Sequence, residues 1–260
     1  MNLIYQVAVG KPSALYERCI ESVAAYAKRI GAEHIVLREP KLRIRPNPFS
    51  SNRSKEATER LGYLPIYEKE NAFDLLPDYD HVAIIDSDIF IRESAPDIFS
   101  ELDAPFGAVC EREMPITAQY ASKIKGYSNM QYGILHQKGL DFKPNKLGYE
   151  FFNMGMMVLR NDFWKKYVNM PAKDWITQSK FQPFIDGMGA WKWSTDQTLL
   201  NYYLKVRKIP VTHLDWRFNA LYRGIQDSKI PEAHFVHFFL KDKLPERGEN
   251  VPALMKEIGE

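Results

Sequence analysis

The sequence feature that most constrains the fold is a short apolar run, residues 82–85, that ends in Asp86 and Asp88. Four apolar residues with two β-branched isoleucines among them are typical of a strand buried on both faces of a sheet. Ligands in open α/β sheets bind at the carboxyl ends of the strands, so both carboxylates fall where a site is expected. If the backbone stays extended through Ser87, the two side chains point the same way.

Two carboxylates held this close repel each other unless a cation lies between them. A divalent metal ion, which prefers oxygen ligands, is one solution. The alternative is a turn without a ligand, because aspartates are common turn and capping residues at strand ends. This stretch alone leaves the metal site and the plain turn equally open.

Length and composition narrow the function classes. A chain of 260 residues can bury a substantial core in one large domain or two small ones. The 35 Lys and Arg residues nearly balance the 33 Asp and Glu residues, which argues against a nucleic-acid partner. No apolar segment approaches the ~20 residues that span a bilayer, and the first residues are typical of a strand rather than a signal peptide. Cys19 and Cys110 lie in apolar contexts, so we expect buried thiols, no disulfide and a cytoplasmic location.

Periodic patterns predict alternating strands and helices. The first strand covers residues 1–9, and an amphipathic helix follows, with Ser13 as its N-cap and Gly31 as its stop. A strand over 34–37 completes a β-α-β unit, and the proline-rich residues 38–54 form a long loop. The later predictions are a helix over 63–77, strands over 106–110 and 151–160, a partly helical insertion over 112–150, a capping box at Ser194–Gln197 that begins a helix, and strands over 209–214 and 234–239.

Four motifs in chain order carry a resemblance to a known family. They are Asp86-Ser87-Asp88, Phe152-Asn153-Met154-Gly155, Asp196-Gln197 followed by Asn201, and His237 followed by Lys243. Their order and spacing resemble the GT-A glycosyltransferases, and among these the retaining family that includes glycogenin and the bacterial lipooligosaccharide galactosyltransferases. The resemblance implies an α/β fold: a single Rossmann-like GT-A domain over 1–260, with a mixed, mostly parallel central sheet flanked by helices.

The resemblance implies a metal site. In this family two aspartates and a histidine bind manganese, which also holds the diphosphate of the nucleotide sugar. Carried over, Asp86, Asp88 and His237 become the ligands of Mn²⁺, with Mg²⁺ possible, because an imidazole favours manganese. His234 lies in the same predicted strand, but its odd offset from His237 directs it to the opposite face. Lys243 matches the family's lysine, which adds a second cation at the diphosphate.

The resemblance also implies residues for the donor sugar. Asn153, Asp196 and Gln197 match family residues that contact it, and Asp196 and Gln197 are the implied catalytic pair. Carboxylate and amide groups hold sugar hydroxyls and stabilise positive charge at the anomeric carbon. The alternative for Asp196 and Gln197 is a purely structural role in the capping box.

The nucleotide is expected to lie along the first strand. Val9 and Gly10 fall where this strand meets the base in such folds, and the backbone of Ser87 is expected near the ribose. The alternative for Val9 and Gly10 is an ordinary strand-end turn. Lys69 is placed to reach the diphosphate or the donor sugar, although a lysine with a glutamate on each side is also typical of a solvated helix face.

The implied activity is metal-dependent transfer of a hexose from a nucleotide-diphosphate sugar, with uridine as the expected base, to a saccharide or other hydroxyl acceptor. Retention at the anomeric carbon leaves two routes open, a covalent intermediate or front-face attack. Residues 1–110 form the expected nucleotide-binding half, 111–245 the donor-sugar and acceptor half, and 246–260 a tail helix. The alternatives are a noncatalytic nucleotide-sugar-binding protein and a phosphatase of the haloacid dehalogenase type, which usually begins with its Asp-x-Asp.

Overall fold

Two β-sheets form the centre of the computed structural model, which describes residues 1–53, 61–239 and 244–260. Within these ranges the strands are β1 (Asn2–Val7), β2 (Glu33–Leu37), β3 (His81–Ile85), β4 (Ile89–Ile91), β5 (Phe106–Cys110), β6 (Phe152–Arg160), β7 (Val211–His213), β8 (Ala220–Leu221) and β9 (Phe235–His237). The larger sheet has the order β2-β1-β3-β6-β5-β7 and the smaller one β4-β9-β8. Only β6 runs antiparallel to its neighbours among the described strands of the larger sheet. The predicted α/β fold with a mixed, mostly parallel sheet is confirmed.

Strand β3 is buried on both faces of the larger sheet, as its apolar run predicts. Val82 and Ile84 pack into one hydrophobic cluster, and Ala83 and Ile85 pack into the other. Successive side chains of a strand point to opposite faces, so four apolar residues in a row contribute to two separate layers of core. The strand ends at Ile85, and the polar residue Asp86 follows it at the rim of the sheet.

The helices pack against these sheets. Helix α1 (Ala14–Ile30) begins at Ser13, whose Oγ accepts a hydrogen bond from the Tyr16 N–H, and ends at Gly31, where φ is 69°. Both predicted ends are confirmed. The other long helices are α2 (Ala118–Gln137), α3 (Asp196–Val206) and α4 (Val251–Ile258). Shorter helical segments cover Ile98–Glu101, Glu111–Glu113, Asn161–Phe163, Trp164–Val168, Ala172–Ile176, Ser179–Phe181, Gln182–Ile185, Gly189–Trp191, Trp216–Asn219 and Asp227–Glu232.

The helical character predicted over 63–77 is confirmed for residues 65–78, but this stretch is not one continuous α-helix. The chain forms two 3₁₀ segments, Pro65–Asn71 and Leu76–Asp78, around the one-turn α-helix Ala72–Leu75. Two physical causes are evident. Pro77 has no backbone N–H with which to continue an α-helix. The Glu68 carboxylate is buried and accepts three backbone N–H bonds from residues 41–43, at 2.6 to 3.0 Å, which ties this segment to the predicted loop.

Strand β6 has an irregularity next to the carboxyl end of β3. Between the adjacent residues Ala108 and Val109 of β5, the β6 partner changes from Met157 to Asn153. The three intervening residues of β6 therefore have no partner in β5. Bulges of this kind redirect side chains and are common beside active sites. The Gly155 carbonyl, within these three residues, accepts the Asp86 N–H at 2.7 Å.

The smaller sheet brings strand β9 next to the segment that holds Asp86 and Asp88. Strand β4 pairs antiparallel with β9, and Ile89 lies opposite His237 in this pairing. Because Ile89 follows Asp88 directly, the pairing carries His237 to the two aspartates. Cys19 and Cys110 are buried free thiols, as predicted. Over the described ranges, no helix has both the length and the apolar character that a membrane crossing requires.

Candidate active site

The two aspartates and His237 converge beyond the end of β3. The His237 Nε2 lies 3.2 Å from Asp88 Oδ1 and 3.9 Å from Asp86 Oδ2. The backbone does not stay extended through Ser87, because the chain turns there and the Ile89 N–H donates to the Asp86 carbonyl at 3.1 Å. The turn keeps both carboxylates on one side through this local hydrogen bond rather than through strand alternation.

This cluster suits a divalent cation. One ligand atom from each of Asp86, Asp88 and His237 lies within 4.8 Å of the others. Two carboxylate oxygens and one imidazole nitrogen form a mixed donor set that manganese accepts well, and magnesium less readily because of the nitrogen. His234 does not belong to the cluster, since its ring packs against Phe218 instead. The odd offset that directed His234 to the opposite face of the strand from His237 therefore agrees with the geometry.

Burial and charge act together on these groups. Burial raises the pKa of the Asp86 carboxyl to about 6, Lys69 opposes the shift and the Asp88 carboxylate adds to it. Burial lowers the pKa of His237, but the Asp88 and Asp86 carboxylates together outweigh burial and the net shift of this pKa is upward. The Tyr16 hydroxyl forms a hydrogen bond with Asp88. Burial raises the pKa of Tyr16, and the negative charge of the Asp88 carboxylate raises it further. Repulsion between the two carboxylates is the force that a bound cation would relieve.

Lys69 links this cluster to the start of α3. Its Nζ lies 2.7 Å from Asp86 Oδ1 and 2.9 Å from Asp196 Oδ2, and it donates to the Met154 carbonyl at 3.0 Å. The side chain is only 12% exposed, so the alternative of a solvated helix face is wrong. Burial favours the neutral amine, but the two carboxylates outweigh it and raise the pKa of Lys69. The ammonium therefore remains charged between two acidic groups.

The first turn of α3 holds both residues of the implied catalytic pair. Thr195 caps the helix by accepting the Gln197 N–H, whereas Ser194 donates its hydroxyl to the Phe184 carbonyl at 2.7 Å. The capping role predicted for Ser194 is therefore wrong by one residue, because its hydroxyl is used inside the core. Asp196 is buried, and the Gln197 side chain accepts the Met154 N–H at 3.2 Å and donates to the Tyr127 hydroxyl at 3.3 Å.

One cleft of about 1160 Å³ gathers the predicted site residues. Lys243 falls outside the described residues. The cleft lining includes every other residue of the predicted site: Val9, Gly10, Lys69, Asp86, Ser87, Asp88, Asn153, Asp196, Gln197 and His237.

The cleft also contains residues that the sequence analysis missed. Tyr120, Lys123 and Tyr127 line it from one face of α2, and Glu111 also lines it. The spacing of the three α2 residues, three and four positions apart, is a signal that could have identified them as one helix face. Glu111 had no such signal.

Both polar atoms of the Asn153 side chain form hydrogen bonds within the protein. Its Nδ2 donates to Glu111 Oε2 at 2.8 Å, and its Oδ1 accepts from the Gly155 N–H and from Asn219 Nδ2, both at 2.9 Å. The Tyr120 hydroxyl donates to the other Glu111 oxygen. These bonds fix the orientation of the amide at the cleft wall.

We expect Lys69→Met to lower the free energy of unfolding by about 3–5 kcal/mol, because it leaves the buried Asp196 carboxylate and the partly buried Asp86 carboxylate without their shared cation. The measurement is urea unfolding of the metal-free protein. The exposed Lys28, on α1, provides the control Lys28→Met, which should change stability by no more than about 0.5 kcal/mol. Equal stability of the two variants would contradict the bridging role of Lys69.

No protein-family model and no curated protein matches the sequence. Solved structures do match. A glycosyltransferase involved in glycosylating the major capsid of PBCV-1 is 13% identical, with a TM-score of 0.56, and the match covers 97% of this chain and 98% of that one. The galactosyltransferase LgtC, in complex with donor and acceptor sugar analogs, is 15% identical at a TM-score of 0.51, over 100% and 95% of the two chains. Mouse xyloside xylosyltransferase 1 is 10% identical, with a TM-score of 0.51, and the match covers 94% of this chain and 100% of that one.

Such low identities establish a common fold and nothing finer. The match extends over nearly all of each chain, so it includes both the central sheet and the segments around the cleft. The resemblance drawn from the four sequence motifs is confirmed at this level. The chain therefore has the GT-A fold that these glycosyltransferases share.

Proposed function

We propose that the protein is a metal-dependent glycosyltransferase that moves a hexose from a uridine-diphosphate sugar to a saccharide or other hydroxyl acceptor, with retention at the anomeric carbon. The observation that carries this proposal is that Asp86, Asp88 and His237 lie together at a large cleft. The Lys69 ammonium contacts both Asp86 and Asp196 and so links this cluster to the start of α3. The GT-A fold adds support, because LgtC, a neighbour with that fold, is a galactosyltransferase solved with donor and acceptor analogs.

The metal ligands in this proposal are Asp86, Asp88 and His237, with Mn²⁺ as the favoured ion and Mg²⁺ as a substitute. When bound, the ion supplies Lewis-acid stabilisation of the charge that forms on the departing diphosphate. The residues fit such an ion because the imidazole nitrogen faces both carboxylates.

The nucleotide side of the cleft is assigned to residues 1–110. Val9 and Gly10 line the cleft at the end of β1, where we place the base, and the backbone of Ser87 is placed at the ribose. The Lys69 ammonium orients Asp86 and adds positive charge near the diphosphate. The role of Lys243 as a second cation at the diphosphate stays a prediction.

The sugar side is assigned to residues 111–245, with Asn153, Asp196 and Gln197 at the donor sugar. Asp196 is the better nucleophile of the pair in principle, but its carboxylate is bound to the Lys69 ammonium. An ammonium partner withdraws negative charge from the attacking oxygen, so this ion pair favours front-face attack with Asp196 as an electrostatic stabiliser. The Gln197 amide is held by Met154 and Tyr127, which suits it to orient a sugar hydroxyl.

The test is incubation of the protein with Mn²⁺ and a panel of nucleotide sugars, with release of nucleoside diphosphate as the readout. We expect release from a uridine-diphosphate hexose, acceleration by an acceptor saccharide and loss of release after chelation. NMR of the product reports whether the anomeric configuration is retained. Binding without release would identify a noncatalytic nucleotide-sugar-binding protein, and release of inorganic phosphate instead would identify a phosphatase.

A further inference from the structure

A buried row of polar side chains leads from His237 away from the cleft. The Nδ1 atom of His237 lies 2.9 Å from Asn219 Oδ1, and the Asn219 Nδ2 donates to Asn153 Oδ1 at 2.9 Å. Asn219 is 0% exposed and is the last residue of the helical turn Trp216–Asn219, immediately before β8. It does not line the cleft. Its side chain therefore reaches the site only through its two neighbours.

The direction of these hydrogen bonds is determined by a backbone group. The Gly155 N–H can only donate, and it donates to Asn153 at 2.9 Å, so the atom that receives it must be the amide oxygen. Asn219 must present its NH₂ group to the same oxygen. Its own oxygen therefore faces His237, and the His237 Nδ1 must carry the proton that bonds it.

The ring has little freedom to adopt another arrangement. A Cβ atom on Gly155 would lie 2.3 Å from His237 Cε1, so the imidazole edge packs directly on the glycine. The backbone on both sides of the ring is also held. The Phe238 N–H donates to the Asp88 carbonyl at 2.9 Å, and the Tyr222 N–H donates to the His237 carbonyl at 3.0 Å.

We propose that Asn219 is a positioning residue that holds the neutral His237 ring in its Nδ1–H tautomer and so presents the Nε2 lone pair to the cation between Asp86 and Asp88. This inference rests on the proposed function only for the identity of the metal ligands. A ring nitrogen that carries a proton cannot bind a metal, and outer partners that fix the tautomer raise metal affinity for that reason.

Three variants test the proposal. Asn219→Leu removes the acceptor and keeps the branched shape and the number of heavy atoms of the side chain. Asn219→Asp keeps an oxygen facing His237 but sets its second oxygen against the Asn153 oxygen, so it should lose stability and keep the tautomer. Asn161→Leu is the control for a lost, partly buried amide, since Asn161 bonds the carbonyls of residues 76, 77 and 79 instead of the site.

The first readout is ¹⁵N NMR of the histidine rings in the metal-free protein, at a pH above the titration of His237. The spectrum of His237→Gln identifies the signals. We expect a single Nδ1–H tautomer in the wild type, in Asn219→Asp and in Asn161→Leu. In Asn219→Leu we expect a mixture or the Nε2–H form.

The second readout is calorimetric affinity for Mn²⁺ alone. We expect Asn219→Leu to weaken binding by about 10–100-fold, and the other two variants to remain near wild type despite their lower stability. A purely structural role would instead make affinity follow stability in all three. An unchanged tautomer or an unchanged Mn²⁺ affinity in Asn219→Leu would overturn the proposal, as would a wild-type protein with the Nε2–H form.

Both readouts are made without a nucleotide sugar. If they behave as expected and no sugar is transferred, the proposed function fails while the role of Asn219 stands. If sugar is transferred but Asn219→Leu leaves the tautomer unchanged, the role of Asn219 fails while the proposed function stands.

Discussion

Asp88→Asn is expected to lower sugar transfer by about 10³-fold, since a Lewis-acid metal contributes several kcal/mol of charge stabilisation in such reactions. The substitution changes one atom and removes the negative charge of a proposed ligand. Asp88 Oδ1 is also the carboxylate oxygen at 3.2 Å from the His237 Nε2, so the loss falls at the centre of the cluster. Steady-state release of nucleoside diphosphate at saturating Mn²⁺ measures the effect.

The matched control is Asp78→Asn, at an exposed aspartate in the Leu76–Asp78 segment. It makes the same chemical change away from the cleft, and we expect wild-type turnover. Thermal unfolding of both variants verifies that the fold is retained. Near-normal turnover of Asp88→Asn would show that this carboxylate is not needed, and the metal-dependent mechanism would then be wrong.

Gly155→Ala is expected to weaken Mn²⁺ binding by displacing His237. The added Cβ would lie 2.3 Å from Cε1 and 2.8 Å from Nδ1 of the ring. The glycine backbone cannot easily yield, because its carbonyl accepts the Asp86 N–H and its N–H donates to Asn153. We expect at least a tenfold loss of Mn²⁺ affinity, on the order seen when histidine positioning is disturbed. Overpacking should also cost about 1–3 kcal/mol of stability.

Gly126→Ala provides the control for this substitution. Gly126 lies inside α2, and a Cβ there meets no atom within 4 Å. Alanine is favoured over glycine inside a helix by about 0.8–1.0 kcal/mol, so this variant should be as stable as the wild type or more so. Wild-type Mn²⁺ affinity in Gly155→Ala, measured by calorimetry, would mean that the histidine is not confined as the geometry indicates.

The amino-acid sequence by itself determined the local elements and the order of the motifs. The ends of α1 follow from Ser13 and Gly31, whose side chain and backbone freedom act within one turn of the helix. The double burial of β3 follows from its unbroken apolar run. These features depend on neighbours in the chain, so pattern alone suffices to predict them, and the four spaced motifs pointed to the GT-A fold.

The tertiary structure decided which of these residues meet and with what partners. The sequence left Lys69 open between a site residue and a solvated one, and the structure buries it between Asp86 and Asp196, 17 and 127 positions away. Asn219 showed no signal at all, because its role depends on hydrogen bonds to Asn153 and His237. Hydrogen bonds and ion pairs act over a few ångströms, whereas strand pairing and the β6 irregularity determine which distant residues come that close.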